Sequence, residues 1–377
     1  MKLTVKLLAS AALLAALLPA QPAKGDILAF VGTYTKPNQS KGIYAWRLSP
    51  ATGKMTPLGL VGESQSPSFL AIHPNRKFLY AVNEVSTFEG KKAGAVSAFS
   101  LDAATGQLHL LNQVSSQGDG PCHLAIDPTG KWLVVANYGG GSTAEYPIHA
   151  DGTLGDASTF AQHKGSSVDP QRQKGPHAHD AVYSPDGKTA FVLDLGLDQI
   201  LHYTTAGLKP AVPPFTKITP GSGPRHMVFD PRGHFAYLMT EMTASVVAFR
   251  YSPGKFEELQ TLSTVPADFQ GTRSGAEIAI HPTGKFVYAS TRGVDAISVF
   301  AVDPAKGTLT AVDRTPTQGK TPRSFAIDPT GRCLFAANQD SDSIVQFAID
   351  PKTGKLTPAG APIQAFAPVC IVFTPAK

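Results

Sequence analysis

One hairpin-like segment recurs seven times along this 377-residue chain, and the recurrence restricts the possible folds more than any other feature. The clearest copy is GPRHMVFDPRGHFAYLMTE, residues 223–241, which contains two apolar strands joined by an Asp-Pro-Arg-Gly turn. Successive turn prolines lie 46 to 57 residues apart. A period near 50 with several strands per unit is typical of a β-propeller. The turn prolines are Pro74, Pro128, Pro185, Pro231, Pro282, Pro329 and Pro375.

The units predict an all-β fold, a seven-bladed β-propeller that occupies residues 24–377. Each unit has two strands around the proline turn, then a third strand and a weaker outer strand. The last copy stops after one strand, whereas residues 27–34 (ILAFVGTY) match the second strand of a unit. We therefore expect one blade to be built from both chain ends, which closes the ring. Two separate β domains would need a linker, and none is evident.

Residues 1–23 have the pattern of a secretory signal peptide. Lys2 and Lys6 precede a short apolar core, residues 7–18, and small residues follow at Ala20 and Ala23, the two candidate cleavage positions. The core is too short to span a bilayer, and no later run resembles a membrane anchor. The pattern predicts a periplasmic or secreted protein; the alternative is a buried N-terminal helix.

The charge argues against a nucleic-acid-binding protein, and the cysteine content argues against a disulfide-rich or zinc-binding protein. The 33 basic and 28 acidic residues give a net charge of +5 without any Lys/Arg cluster, which argues against nucleic-acid binding. Cys122, Cys333 and Cys370 form neither a disulfide framework nor a zinc pattern, so we interpret them as small apolar fillers. We expect a monomer without a cofactor.

Equivalent positions of the repeats should form rings around the central channel. The two ends of each hairpin fold back on each other, so both rings should lie at one mouth of the channel. Six residues before each proline the ring is Ser68, Cys122, His179, Arg225, Ala276, Arg323 and Val369. Ten residues after it, with the N-terminal strand completing the last blade, the ring is Tyr34, Glu84, Tyr138, Leu195, Glu241, Arg292 and Gln339.

Charged groups gathered in a confined mouth indicate a substrate site. The mouth is predicted to collect His179, Arg225, Glu241, Arg292, Arg323 and Glu84. Arginines can hold a carboxylate or phosphate and stabilise an oxyanion, and Glu241 or His179 could act as general base on a water molecule. No GxSxG elbow occurs, so direct attack by water is the simpler hypothesis. The alternative is that the ion pairs only plug the channel.

Weaker candidates surround this set. His177 could share a face with His179 or cap the strand entry. The insert at residues 161–176 could overhang the mouth, although a solvated loop is favoured, and residues 266–275 offer Arg273 as an anion contact. A hard metal ion could be held by Asn83, Asn137, Asp194 and Glu84, but no spaced acidic motif supports it.

The repeats, together with LYAVNE, VVANYGGGS, GPRHMVFDP…LMTE and IAIHPTGKFVYASTR, resemble the seven-bladed propeller lactonases over essentially the whole mature chain. That family includes propeller-type 6-phosphogluconolactonases and carboxy-cis,cis-muconate cyclases. The resemblance implies lactone hydrolysis, or the related ring closure, without a redox cofactor. It places the catalytic positions at His179, Arg225, Glu241 and Arg292, with His179 or Glu241 transferring a proton and the arginines holding the anion.

We expect a small-molecule lactone as the substrate. An exported enzyme would not meet the cytosolic 6-phosphate, so an unphosphorylated sugar lactone fits better. The alternatives are a non-catalytic secreted propeller that binds a glycan or protein, a muconate-lactonizing cyclase and a metal-dependent lactonase. The expected substrate-binding residues are Glu84, Tyr138, His177, Arg323 and Gln339.

Overall fold

The computed structural model describes residues 25–376, so the predicted signal peptide and Lys377 lie outside the described residues. Seven antiparallel sheets surround a central channel, as the repeats predicted. Helical structure in the described part is one 3-10 turn, Gln339–Ser341. Within residues 25–376 no helix is long and apolar enough to cross a membrane.

The strands follow one another in chain order, and the innermost strand of each sheet lines the channel. The closing blade contains β1 (Ile27–Thr33), β2 (Gly42–Leu48) and β3 (Met55–Glu63). The second blade contains β4 (Leu70–Ile72), β5 (Phe78–Asn83), β6 (Ala95–Leu101) and β7 (Leu108–Ser115). The third contains β8 (Pro121–Ile126), β9 (Trp132–Asn137), β10 (Ser142–Pro147) and β11 (Thr159–Gln162). The fourth contains β12 (Ala178–Tyr183), β13 (Thr189–Asp194), β14 (Gln199–Thr204) and β15 (Pro210–Lys217). The fifth blade contains β16 (Pro224–Phe229), β17 (Phe235–Thr240), β18 (Ser245–Ser252) and β19 (Lys255–Ser263), and the sixth contains β20 (Ser274–Ile280), β21 (Phe286–Arg292), β22 (Ala296–Val302) and β23 (Leu309–Pro316). The seventh contains β24 (Pro322–Ile327), β25 (Cys333–Asn338), β26 (Ser343–Ile349), β27 (Leu356–Pro358) and β28 (Ile363–Gln364). The last strand, β29 (Pro368–Pro375), belongs to the closing blade.

The closing blade confirms the prediction that both chain ends share one sheet. Strand β29 is its inner strand, and the order outwards is β29, β1, β2 and β3. Leu28 pairs with Thr374, and Phe30 pairs with Val372. The N-terminal strand therefore has a neighbour on both sides, and neither of its edges is left open.

Where an aspartate precedes the turn proline, as at Asp127, Asp230 and Asp328, its carboxylate shapes the turn. The carboxylate of Asp230 accepts hydrogen bonds from the backbone N–H groups of His234 at 2.6 Å and Phe235 at 2.7 Å. Gly233 has φ = 70°, and a Cβ there would lie 2.7 Å from Cβ of Pro185 in the preceding blade. The Asp-Pro-Arg-Gly sequence therefore fixes the turn and lets two blades approach closely.

Packing between neighbouring blades provides the core. Tyr80, Tyr237 and Tyr288 are buried in the second strands of their blades. Each hydroxyl donates to the carbonyl of a turn glycine in the following blade, at 2.9, 3.1 and 2.9 Å respectively. These tyrosines occupy the same position of their repeats, so one sequence feature joins three pairs of blades.

A β-bulge recurs in the inner strands. In β8, β12, β16, β20, β24 and β29 the register with the second strand shifts six residues before the turn proline. In β16, for example, Pro224 pairs with Thr240 and His226 pairs with Met239, so Arg225 is the extra residue. A bulge frees a residue from the ladder and redirects its side chain. The first predicted ring therefore consists largely of bulge residues.

The closing blade generates a stability prediction. Phe30 is fully buried between blades, whereas Phe366, close in sequence to β29, is 38% exposed. Phe30→Ala should lower the free energy of unfolding by about 3–5 kcal/mol, because it leaves a cavity in the core. Phe366→Ala should cost less than about 1 kcal/mol. Urea unfolding measures both; equal losses would show that the closing blade is not packed as described.

Candidate active site

The mouth of the channel holds a polar cavity of about 230 Å³. Its walls come from bulge residues of the inner strands, from residues at or just after the ends of the second strands, and from one loop. The first predicted ring supplies His179 and Arg323, and the second supplies Glu241 and Arg292. The residues that line the cavity are Tyr34, Glu84, Cys122, Tyr138, Arg172, His179, Glu241, Arg292 and Arg323.

Glu241 is the centre of the charge arrangement. Its Oε2 accepts from Nε of Arg225 at 3.1 Å and from Nη2 of Arg292 at 2.8 Å. Its Oε1 accepts from Nη2 of Arg172 at 2.7 Å. Burial alone would raise the pKa of Glu241, but the three arginines lower it to about 2. The carboxylate therefore stays ionised at any physiological pH.

Arg225 is buried behind this carboxylate, with 1% of its surface exposed. Its Nη1 donates to the carbonyl of Ala276 at 2.6 Å. Burial and the nearby charges of Arg292 and Arg323 lower its pKa to about 10, so it remains a cation at neutral pH. Arg225 does not line the cavity; it holds Glu241 from the side away from solvent.

A second ion pair on the opposite wall is looser. Nη2 of Arg323 lies 3.9 Å from Oε2 of Glu84, and its guanidinium lies 5.4 Å from the ring centre of Tyr34. The Tyr34 hydroxyl donates to Oε2 of Glu84 at 2.8 Å. Three guanidinium groups, those of Arg172, Arg292 and Arg323, thus line the cavity with two carboxylates, a surplus of one positive charge, and the buried Arg225 adds a further positive charge behind Glu241. Such a mouth attracts anions.

His179 is a neutral imidazole in this setting. Burial and then the charge of Arg225 lower its pKa well below the ordinary value of 6.5. Its ring meets the ring of Tyr138 edge-on, with centroids 5.5 Å apart. Its Nδ1 is buried without a hydrogen-bond partner in the described residues. An uncharged imidazole beside several cations can accept a proton but does not hold one at rest.

Arg172 reaches the mouth from the insert at residues 161–176, although the polar sequence of this insert favours a solvated loop. Besides Glu241, its Nη2 contacts the Tyr138 hydroxyl at 3.0 Å. The Asp169 carboxylate accepts from the backbone N–H of Arg172 at 2.8 Å. The next residue, Gln173, is fully buried and donates to the Leu195 carbonyl at 2.8 Å. The loop is therefore anchored, and it presents an arginine that lies outside the repeat pattern.

Several predicted residues lie outside the cavity. Nε2 of Gln339 donates to Asp340 at 3.0 Å, in a neighbouring surface pocket that also contains Lys36. The 3-10 turn that starts at Gln339 explains this placement, because it turns the chain after β25. His177 stacks on Tyr138, with ring centroids 4.7 Å apart, and its Nδ1 lies 3.0 Å from the Tyr138 carbonyl. Arg273 is exposed and does not line the cavity.

The four candidate metal ligands make other contacts. The amide of Asn83 bonds to Ser64 at 2.8 Å and to the carbonyl of Gln65 at 2.7 Å. Asn137 donates to the Ser116 carbonyl at 3.0 Å, and Asp194 accepts from the ring of His163 at 2.6 Å. Glu84 is bound to Tyr34 and Arg323, as described above. Among the described residues, no group of three His, Cys, Asp or Glu side chains is arranged to hold a metal ion.

One residue further along each inner strand lies a ring that the sequence reasoning did not consider. It consists of Phe69, His123, Asp180, His226, Glu277, Ser324 and Cys370. Five of these line a second cavity of about 340 Å³, which continues along the inner strands to Ile126 and Ile278, away from the mouth. At a bulge, two consecutive residues therefore both face the channel: the first lies toward the mouth, and the second belongs to the deeper ring. The repeat register does indicate this ring, which lies five residues before each turn proline, one position after the first predicted ring.

The repeat architecture and the charged mouth define a seven-bladed propeller with an anion-attracting cavity. The family model "Lactonase, 7-bladed beta-propeller" matches residues 28–373. The chain belongs to this family of seven-bladed β-propeller lactonases. The resemblance noted from the motifs is therefore confirmed.

Relatives and solved structures extend the match. The chain is 34% identical over 300 residues to the 6-phosphogluconolactonase of Bacillus subtilis, covering 79% of this chain and 84% of the relative. A putative 6-phosphogluconolactonase from Bacteroides fragilis has 40% identity and a TM-score of 0.87, covering 93% of this chain and 98% of the other. The periplasmic gluconolactonase of Pseudomonas aeruginosa has 35% identity and a TM-score of 0.88, covering 93% and 100% respectively.

The Glu241 cluster generates the next prediction. Glu241→Gln leaves the buried Arg225 without its charge partner and should lower the free energy of unfolding by about 3 kcal/mol at pH 7. Because the pKa of Glu241 lies below its ordinary value of 4.5, the ionised carboxylate stabilises the fold above about pH 4.5, and the contribution is lost as the pH falls toward 2. Urea unfolding at several pH values measures this difference.

A surface ion pair provides the control. Lys92 and Asp119 lie 3.8 Å apart, and the lysine is 83% exposed. Asp119→Asn should cost less than about 1 kcal/mol at any pH. If Glu241→Gln were as mild as this control, the three arginines would not depend on the carboxylate.

Proposed function

We propose that the protein is a lactone hydrolase that opens a sugar lactone at the mouth cavity. The observation that carries the proposal is the pairing of a neutral imidazole, His179, with a surplus of guanidinium charge in one cavity. Ring opening needs a base for water and positive charge for the oxyanion that develops on the carbonyl oxygen. The names of the relatives support the same reaction class.

In the proposed mechanism water attacks the lactone carbonyl carbon and gives a proton to His179. We assign Nε2 as the accepting atom, because Nδ1 is buried. The tetrahedral oxyanion is stabilised by Arg292 and Arg323, which line the cavity. The bond between the carbonyl carbon and the ring oxygen then breaks, and the proton on His179 passes to that oxygen. The products are a hydroxyl group and a carboxylic acid, which ionises to the carboxylate and releases its proton to solvent.

Glu241 has a positioning role in this proposal. A carboxylate whose pKa is about 2 is a weak base for water near neutral pH. Its three hydrogen bonds instead fix the guanidinium groups of Arg172 and Arg292 at the cavity wall. Of the two candidates for the base that the sequence left open, we favour His179, because both oxygens of Glu241 already accept hydrogen bonds from arginines, whereas the neutral His179 ring lines the cavity.

The surplus of positive charge bears on the substrate. A phosphate on the sugar would add negative charge, which Arg172 can bind at the cavity rim because 45% of its side chain is exposed. The mouth is thus suited to a phosphorylated lactone as well as a neutral one. The compartment decides which of them the enzyme meets, and we propose a periplasmic or secreted monomer that acts on an unphosphorylated sugar lactone. The pattern of residues 1–23 and the named location of the Pseudomonas aeruginosa relative support this location.

A substrate panel tests the proposal. The purified protein should open glucono-δ-lactone and its 6-phosphate faster than the spontaneous rate, with the phosphate favoured at low salt because of the mouth charge. His179→Asn should lower kcat by about 100-fold, the size expected for loss of a general base. A pH-stat or a coloured indicator follows the acid released.

The same panel contains the contrary outcomes. Hydrolysis of a muconolactone alone would favour the cyclase branch. Failure to open any lactone would contradict the proposed function. His109→Asn is the control variant, because His109 is exposed on an outer strand and lies outside the cavity; it should act like the wild type.

The low pKa of His179 predicts the pH dependence. The imidazole is already unprotonated well below pH 6.5, so kcat/KM should stay constant as the pH falls from about 8 to about 6. An acid limb centred near 6.5 would show that the base is an ordinary, solvated histidine. Arg323→Gln removes one positive charge that lowers this pKa, so its acid limb should move to higher pH. Initial rates corrected for spontaneous hydrolysis give the profile.

A further inference from the structure

His226 joins the two rings of the channel. It belongs to the deeper ring and directly follows Arg225 in β16. Its Nε2 lies 3.3 Å from Nη1 of Arg225, and its Nδ1 lies 2.8 Å from Oε1 of Glu277 in the next blade. The residue is buried, with 6% of its surface exposed.

The chemistry of these neighbours fixes the proton on the His226 ring. A guanidinium can only donate, so Nε2 of His226 must be the acceptor from Arg225. The proton of the neutral ring is then on Nδ1, from which it is donated to Glu277. A ring with its proton on Nε2 would turn an N–H group toward another N–H group and lose the contact with Arg225.

Glu277 is itself held in place. Its Oε1 also accepts from the backbone N–H of Ile278 at 3.0 Å, and its Oε2 accepts from the Ser324 hydroxyl at 3.3 Å. Both oxygens are thus engaged by groups that do not titrate. The carboxylate therefore selects the His226 tautomer in a fixed geometry, as a carboxylate does for a metal-binding histidine.

On the mouth side the same chain of contacts ends at the proposed site. Arg225 uses Nη1 for His226 and the Ala276 carbonyl, and Nε for Glu241. The plane of a guanidinium is rigid, so the contacts at Nη1 set the direction of Nε. Glu241 in turn binds Arg292 and Arg172 at the cavity wall.

We propose that Glu277 and His226 are positioning residues, which act through Arg225 to hold Glu241 and its arginines in the geometry that lactone opening requires. This inference rests on the proposed function for its effect on rate. Neither residue lines the mouth cavity, and both line the cavity at the other end of the channel. The opposite end of the propeller thereby contributes to the reaction without contacting the substrate.

Variants of His226 test the proposal on the full chain with glucono-δ-lactone. His226→Leu removes the acceptor for Arg225 and should lower kcat about 10- to 100-fold, the effect usual when an orienting partner is lost, with a smaller change in KM. His226→Gln places an amide oxygen near the position of Nε2 and should recover kcat to within about fivefold of the wild type.

His123 supplies the matched control. It occupies the equivalent position of another repeat, is 9% exposed and faces Asp180, with its Nδ1 3.1 Å from Oδ1. Its ring centre lies 5.1 Å from that of His226, but no hydrogen bond joins it to Arg225. His123→Leu should therefore keep kcat within about threefold, with a melting temperature similar to that of His226→Leu.

The outcomes separate this inference from the proposed function. If both leucine variants lose activity equally, or if His226→Leu keeps wild-type kcat, the positioning role is overturned. If the wild type opens no lactone, the proposed function fails, and the ¹⁵N chemical shifts of the His226 ring decide the inference alone. A proton on Nδ1 supports it, a proton on Nε2 overturns it, and the missing signal in His226→Gln assigns the resonance.

Discussion

The contact between the Glu241 carboxylate and three guanidinium groups governs the mouth of the channel. Without this anion the fully buried Arg225 would have no charged partner within hydrogen-bond distance among residues 25–376, and burying an unpaired cation costs several kcal/mol. With it, Arg172 and Arg292 are held at the cavity wall, and the surplus charge remains available to a ligand. Burial, and then the positive charge of Arg225, keeps His179 uncharged. One carboxylate therefore holds the anion-binding groups of the mouth in place.

The two cavities of the channel use charge differently. At the mouth, arginines outnumber carboxylates. In the deeper ring, histidines alternate with acids: His226 pairs with Glu277, and His123 pairs with Asp180, whose pKa burial raises to about 8. The deeper ring can thus remain nearly neutral by proton placement, which suits a buried layer. Cations that cannot lose their charge lie closer to solvent or to Glu241, where hydration or an ion pair compensates them.

The sequence was sufficient for the fold and for much of the mouth, and the limits have physical reasons. A turn proline at a regular period identifies the blades because every blade must repeat the same close contacts with its neighbours. Equivalent positions then form rings by symmetry, and the rings predict that Glu241 lies beside Arg225. Arg172 could not be found in this way, because it sits in a loop that no other blade repeats. Gln339 was misplaced because the 3-10 turn after β25 breaks the symmetry locally. The deeper ring was missed because alternation along a strand hides it, and only the bulges reveal that consecutive residues both serve the channel.

The recurring bulge has a consequence for how such a protein can change over time. A residue opposite no partner in the ladder can be exchanged without disturbing the pairing on either side, so six of the blades carry one position at which a substitution leaves the strand pairing intact. In this chain those positions hold histidine in β12, arginine in β16 and β24, and small or apolar residues in β8, β20 and β29. The ring is therefore a set of equivalent positions, some of which carry polar reactive side chains while others carry small or apolar ones. Propellers of this kind can therefore diverge by substitutions at the bulge positions while the sheets and their pairing stay unchanged.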